Sequence, residues 1–170
     1  HLNTTHASLL YSYHLEVNRK FAVKAGFEAS YRMIELDWGD LTFGDMIDPK
    51  QGFIYPTQED IANNATTKSF PDFSAGFIGY SKNLFFGFAA HHLTKPNEGF
   101  ISESQLPTKL TAHIGGNFPL SRYSNSVTTI SPNFMYQKQQ NFQQLNYGVY
   151  VNRGPMVGGL WMRNSLKNVD

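Results

Sequence analysis

Acidic side chains cluster in one segment of the 170-residue sequence, where Asp37, Asp40, Asp45 and Asp48 follow one another closely. Carboxylate oxygens and backbone carbonyl oxygens are the ligands that Ca²⁺ prefers. The four positions lack the spacing of an EF-hand loop, and aspartate is also a frequent turn former. We therefore expect a folded surface loop whose aspartates form turns, rather than a metal site.

Histidine is the other residue type that could do chemistry. His91 and His92 are adjacent, and adjacent side chains of a strand point to opposite faces, so this pair is not suited to share one ion. His14 and His113 fall on the polar faces of predicted strands and could meet across a barrel, where hydrogen bonding is the expected role. The sequence contains no Gly-x-Ser-x-Gly, His-Glu-x-x-His or phosphate-binding glycine loop. We predict no catalytic residue, no metal and no cofactor.

Composition excludes several classes of protein. The formal net charge is +1 without a block of like charges, so nucleic acid is not an expected partner. Cysteine is absent, which excludes thiolate metal sites and disulfides. The longest apolar run, LFFGFAA, is far shorter than the roughly 20 residues of a membrane-spanning helix. Aromatic residues make up 15% of the chain and charged residues only 16%, a balance that resembles β-barrels and that a β-rich soluble protein could share.

Alternation of side-chain type predicts an all-β fold. In residues 21–34, FAVKAGFEASYRMI, the odd positions are apolar or aromatic, whereas the even positions include Lys24, Glu28 and Arg32. A period of two is typical of a strand with two unlike faces. Pro132 weakens one of the other strand predictions. Eight antiparallel strands are predicted, at 6–17, 21–35, 72–81, 84–93, 108–118, 127–137, 142–152 and 156–165.

Strand lengths and connections favour a transmembrane β-barrel. Most predicted strands have roughly 10 to 12 residues, and a tilted strand needs about 9 to 11 to cross a bilayer. Short turns alternate with long connections at 36–71 and 94–107, as in outer-membrane barrels. The connection 138–141 is an exception, because it is short although it lies on the side of the long connections. If the short turns lie in the periplasm, both ends of this chain lie on the outside of the cell. Bacterial single-chain barrels, by contrast, usually have both termini in the periplasm. We therefore expect a single β-barrel domain, 1–170, that is part of a larger barrel and incomplete at both ends.

The period of two leaves the orientation of the faces open. An outer-membrane barrel turns its aromatic face to lipid and keeps charged side chains in the lumen. A soluble lipocalin-like barrel has the opposite arrangement. In the membrane case, the partners of Lys24, Glu28 and Arg32 are expected on neighbouring strands, because same-face charges along one strand are too far apart to pair.

Five segments of the sequence resemble, in the same order, segments of one known protein family. They read YSYHLEVNRKFAVKAGFEASY, LDWGDLTFGDMIDP, PDFSAGFIGYSKNLFFGFAAHHLTKPN, LTAHIGGNFPL and ISPNFMYQKQ. This succession resembles the PorP/SprF membrane proteins of the type IX secretion system of Bacteroidetes, although Met46 stands where that family has Gln. The resemblance implies an outer-membrane β-barrel whose aromatic face meets lipid. It also implies a non-catalytic partner or anchor for a secreted surface protein, such as an adhesin, working with other type IX components in secretion and gliding.

The long outer loop, 36–71, is the expected partner-binding surface, because loops of this length in compact proteins are commonly functional. Its aromatic side chains could instead pack against the barrel rim. Two alternatives stay open: a passive outer-membrane porin and a soluble lipocalin-like ligand carrier. The candidate partner-binding residues are Trp38, Asp40, Phe43, Asp45, Asp48, Phe53 and Tyr55.

Overall fold

The computed structural model describes residues 2–37, 39, 41–58, 66–100, 102–120 and 128–166. These residues form a nine-stranded antiparallel sheet, a separate two-stranded hairpin and a short 3-10 helix at Gly44–Met46. The strands are β1 Leu2–Asn18, β2 Phe21–Leu36, β3 Ile47–Asp48, β4 Gly52–Phe53, β5 Thr67–Ser81, β6 Leu84–His91, β7 Lys109–Gly116, β8 Phe118–Pro119, β9 Thr128–Gln139, β10 Phe142–Arg153 and β11 Met156–Leu166.

The large sheet follows chain order, β1-β2-β5-β6-β7-β9-β10-β11, with the short β8 also paired to β9. The prediction of an all-β antiparallel architecture with eight long strands is confirmed. β3 and β4 form the hairpin within the loop that follows β2. No helix of the described residues has the length and apolar character needed to cross a membrane.

Two prolines lie inside long strands, and the pairing pattern explains why they are tolerated. Pro71 pairs with Tyr31 of β2, but the ladder between β5 and β6 begins only at Ala75. Pro132 pairs with Val149 of β10 and lies between the end of the β7 ladder and the start of the β8 ladder. Each proline therefore faces a gap in pairing on one side, where its missing N–H leaves no acceptor unsatisfied.

Strand register divides the sheet into two unlike faces. On one face, Phe27, Ile114 and Phe134 remain 47%, 54% and 50% exposed. On the other, Asp72 and Asn146 are only 6% and 8% exposed. We call the first the apolar face and the second the polar face. One row of the apolar face crosses all eight long strands: Leu15, Val23, Gly79, Phe86, Ile114, Phe134, Tyr147 and Met162.

This distribution is the inverse of a soluble β-sheet protein, which buries its apolar face in a core. Among the described residues, Ile34 and Phe70 are the buried hydrophobic side chains. Both occupy polar-face positions, since Ile34 pairs with Lys68 and Arg32 pairs with Phe70. Hydrocarbon tails can solvate the apolar face of such a sheet, as they do for transmembrane barrels.

The two edges of the large sheet are formed by β1 and β11. Within the described residues β1 pairs with β2 alone, and β11 pairs with β10 alone. Each edge therefore presents one row of backbone N–H and C=O groups without a strand partner in this part of the chain.

Antiparallel order places the long connections together. The long connections 37–66 and 92–108 and the two-residue turn 140–141 all leave the same end of the sheet, which we call the loop rim. The start of β1 and the end of β11 lie at this rim as well. The opposite end carries the tight turns 19–20, 82–83 and 154–155.

Candidate functional site

The loop 37–66 begins with a compact turn that is organised by Asp45. The Asp45 carboxylate accepts hydrogen bonds from the backbone N–H of Gln58 at 2.7 Å and from the Thr57 hydroxyl at 3.0 Å. These donors stabilise the charged form, so the hydrogen bond from the Gln58 backbone chiefly holds the pKa of Asp45 below its usual value. Asp45 thus joins the 3-10 helix to a segment thirteen residues further along the chain.

Asp48 organises the hairpin β3–β4 in the same way. Its carboxylate accepts hydrogen bonds from the backbone N–H groups of Lys50 at 2.8 Å and Gln51 at 3.0 Å. The Tyr55 hydroxyl donates a further hydrogen bond at 3.2 Å. The Lys50 and Gln51 donors lower the pKa of Asp48 from its usual value. Both aspartates therefore act as turn formers, and their oxygens are engaged by donors of the loop itself.

The hairpin carries an exposed apolar cluster, which we call the apolar tip. It consists of Ile47, Phe53, Ile54 and Tyr55, with 48%, 59%, 49% and 50% of their surfaces exposed. The alternative expectation, that these aromatic side chains pack against the barrel rim, is not met for Phe53 and Tyr55. Half-exposed large apolar side chains gathered on one hairpin are typical of contact surfaces.

The other predicted loop residues have different positions. Phe43 is half-buried at the start of the 3-10 helix, where its backbone N–H contacts the Met46 sulfur at 3.3 Å. Phe43 therefore supports the loop, and the apolar tip carries the exposed surface. Trp38 and Asp40 lie outside the described residues.

The second long connection, 92–108, is attached to the polar face. Arg32 of β2 forms an ion pair with Glu98, with 2.9 Å between Nη1 and Oε1. Lys68 of β5 donates a hydrogen bond to the carbonyl of Gly99. We call these two contacts the loop latch. They draw the connection over the end of the strands at the loop rim.

The latch corrects one prediction. A partner for Arg32 was expected on a neighbouring strand, but its register neighbours are His6 of β1 and Phe70 of β5. Neither is acidic, so the guanidinium pairs with Glu98 of the connection instead. The sequence did contain a signal for this contact. Once the strands are aligned, no acidic residue stands opposite Arg32, which indicates a partner in a loop.

A second polar cluster fastens the start of the same connection. Asp72 of β5 contacts Nδ1 of His92 at 2.6 Å and accepts a hydrogen bond from the Thr94 hydroxyl at 2.9 Å. The backbone N–H of Phe73 donates to the same carboxylate at 2.9 Å. His92 has a φ of 58°, so the strand ends here and the chain turns back onto β5. Because every oxygen of this buried carboxylate has a partner, the cluster serves structure.

The remaining histidines have separate environments. The ring of His14 contacts the Tyr80 hydroxyl at 3.0 Å, and the His113 ring lies 6.0 Å from that of Phe85. No contact joins His14 to His113 in the part of the chain that the structure describes. That part also contains no group of three or more His, Cys, Asp or Glu side chains suited to hold a metal ion.

The geometry thus gives a sheet with a lipid-compatible face, a polar face partly covered by a latched connection, and a braced hairpin with an exposed apolar tip. Comparisons with curated proteins and with solved structures gave no match. A family model described as type IX secretion system membrane protein PorP/SprF matches residues 1–169. The chain therefore belongs to the PorP/SprF family of type IX secretion system membrane proteins, which lie in the outer membrane.

Proposed function

We propose that this protein is a non-catalytic partner or anchor for a secreted surface protein of the adhesin class, and that the partner docks on the apolar tip. The observation that carries the proposal is the exposure of Phe53 and Tyr55, at 59% and 50%, on a hairpin at the loop rim. Buried aromatic anchors contribute most of the free energy at protein interfaces. The family provides the setting, since its members are components of a secretion system.

The hairpin is suited to this role because its conformation is held before a partner arrives. The Asp48 carboxylate bonds two backbone N–H groups of the turn and the Tyr55 hydroxyl. A surface that is already ordered loses little conformational entropy on binding. The aromatic rings can therefore be presented at a low entropic cost.

Affinity purification from native outer membranes tests the proposal. We expect the double variant Phe53→Ser, Ile54→Ser to lose the secreted surface protein from the purified complex, because the centre of the contact is removed. A matched control, Lys50→Ser and Gln51→Ser, changes two exposed residues of the same hairpin and is expected to keep the partner. An unchanged complex after the first substitution would contradict the docking site.

We also propose that the sheet is a segment of a larger barrel formed by one domain. In hydrocarbon every backbone polar group needs a partner, and the edges of β1 and β11 have none among the described residues, so we propose that further strands pair with them. The chain has no cysteine, so engineered pairs report on closure directly. Cysteine pairs scanned along β1 and β11 are expected to form no disulfide in the membrane. A disulfide would show that these two edges meet.

The polar face favours one second candidate, a passive pore. Side chains such as Asn146 and Asp72 line this face, as in water-filled barrels. Planar-bilayer recordings separate the two candidates: steady, large currents favour the pore, and a closed barrel favours the anchor.

A further inference from the structure

The C-terminal part of the chain has an uneven charge distribution. Residues 104–169 contain no Asp or Glu, although the whole chain has 13. The same segment includes six basic residues: Lys109, Arg122, Lys138, Arg153, Arg163 and Lys167. Four of these residues, Lys109, Lys138, Arg153 and Arg163, lie in the described strands β7 to β11, and the register places Lys109 and Arg163 on the polar face. These strands carry no acidic side chain, so their net charge is positive and attracts anionic ligands.

Arg163 carries this charge on the polar face. It pairs in register with Asn146, which is 8% exposed, and its Nε donates to the Asn146 side-chain oxygen at 3.1 Å. The Gln144 amide donates to the same oxygen at 2.8 Å. A guanidinium has five N–H donors, and no carboxylate of the described residues pairs with this one. Among the described residues no hydrogen bond engages its terminal Nη groups, so these groups can bond a ligand in the adjacent space.

That space is a cavity of about 720 Å³ lined by residues of β9, β10 and β11. Two aromatic rings, Tyr150 and Trp161, form one wall, with centroids 5.7 Å apart in an edge-to-face arrangement. Each ring lies against a glycine of the neighbouring strand. A Cβ added at Gly148 would stand 2.6 Å from the Trp161 ring, and one at Gly159 would collide with the Tyr150 ring. The rings therefore occupy room that only glycine leaves free, and they are positioned in advance.

We propose that this cavity, the Arg163 site, binds a carboxylate-bearing extended polypeptide segment. A guanidinium recognises a carboxylate through paired, charge-assisted hydrogen bonds. The side-chain amides of Gln137 and Gln144 can bond peptide groups, and the rings can pack apolar side chains. The volume of the cavity and the two aromatic rings on its wall fit a polypeptide segment rather than a single ion.

This inference rests on the proposed function, because the segment belongs to the same secreted partner. The Arg163 site lies three residues from the end of β11, and that end is at the loop rim. The apolar tip is part of a connection at the same rim. A partner that docks its folded part on the tip can therefore extend an acidic segment onto the polar face.

Fluorescence anisotropy with the purified full-length protein in nanodiscs tests the site. The probe is a labelled peptide that alternates Glu with Leu, and its comparison peptide replaces each Glu by Gln. We expect the acidic peptide to bind roughly 10- to 100-fold more tightly, since hydrogen bonds to charged groups contribute about 1.5 to 3 kcal/mol. The preference is expected to decrease as salt is raised.

Substitutions locate the effect. Arg163→Gln is expected to abolish the preference for the acidic peptide, and Trp161→Leu to weaken binding of both peptides. The matched control is Arg153→Gln, which removes a basic residue at the opposite end of the sheet and should leave both affinities unchanged. Equal binding of the two peptides, or an unchanged preference in Arg163→Gln, would overturn the proposal. Displacement of the peptide by polygalacturonate at equal charge concentration would also overturn it, in favour of an acidic saccharide.

The proposed function can fail separately. If Phe53→Ser, Ile54→Ser keeps the secreted partner in the complex while the acidic peptide still depends on Arg163, the docking surface is wrong and the Arg163 site stands. If the partner is lost from the tip variant but the peptides bind equally, the reverse holds.

Discussion

The loop latch makes the sharpest prediction. Replacing Glu98 by Gln removes the charge that faces Arg32 at 2.9 Å and leaves the shape of the side chain almost unchanged. With an effective dielectric constant of about 20, two unit charges at this distance attract by roughly 6 kcal/mol. Both side chains keep about a third of their surface exposed, 32% and 28%, so desolvation and side-chain ordering offset most of this attraction. We expect a coupling free energy of about 0.5 to 1 kcal/mol.

Amide hydrogen exchange measures this coupling in the connection 92–108. Two of its backbone hydrogen bonds, from Glu98 to Ser104 at 2.9 Å and from Leu106 to Pro96 at 2.8 Å, close the loop on itself. Loss of about 0.5 to 1 kcal/mol should speed exchange at these amides by roughly 2- to 5-fold, because about 1.4 kcal/mol corresponds to a factor of ten.

Controls decide whether charge pairing is the cause. Glu103→Gln changes the same charge on an exposed residue of the same connection and is expected to leave exchange unaltered. The exchanged pair, Arg32→Glu with Glu98→Arg, should restore part of the protection that either single substitution removes. Unaltered exchange in Glu98→Gln, or no recovery in the exchanged pair, would refute the latch.

Three further predictions concern the sheet and the hairpin. Phe134→Arg, on the apolar face, should lower the free energy of unfolding in lipid by about 2 to 4 kcal/mol. Thr111→Arg, on the polar face, should lower it far less. Urea unfolding in vesicles measures both free energies. Gly148→Val should cost about 1 to 3 kcal/mol through overpacking and increase hydrogen exchange in β11; unchanged exchange would contradict the ring placement. The lowered pKa of Asp48 means that its hydrogen bonds stabilise the hairpin at pH values above 3.8, the ordinary value, and that this contribution disappears as pH falls through the lowered pKa. Amide hydrogen exchange in the hairpin, measured as a function of pH, should show this loss. Asp48→Asn should remove the part of the pH dependence that Asp48 contributes.

Alternation along the strands was sufficient to predict the sheet and the composition of its faces. FAVKAGFEASYRMI separates Phe27 and Tyr31 from Lys24, Glu28 and Arg32 whatever the surroundings, because successive side chains of a strand point to opposite faces. It did not predict that β5 continues through Pro71 to Thr67. That extension depends on a gap in the β6 ladder, which is a property of the neighbouring strand and not of the proline's own sequence context.

Some features of the candidate site could likewise be predicted from the sequence, and others could not. The turn-forming role of Asp45 and Asp48 follows from residue type, since aspartate bonds backbone N–H groups a few positions away. The exposure of Phe53 and Tyr55 does not follow from residue type, because an aromatic side chain in a loop can equally pack against the rim of the barrel.

The sequence by itself determined the strands, their two unlike faces and the family, because these depend on local alternation and on ordered motifs. Only the tertiary structure decided the partners that lie far apart in the chain: Arg32 with Glu98, Asp72 with His92, and Arg163 with Asn146. The physical reason is that hydrogen bonds and ion pairs act over a few ångströms in space. The number of residues between two positions in the sequence does not give their distance in space until the strands are aligned in register.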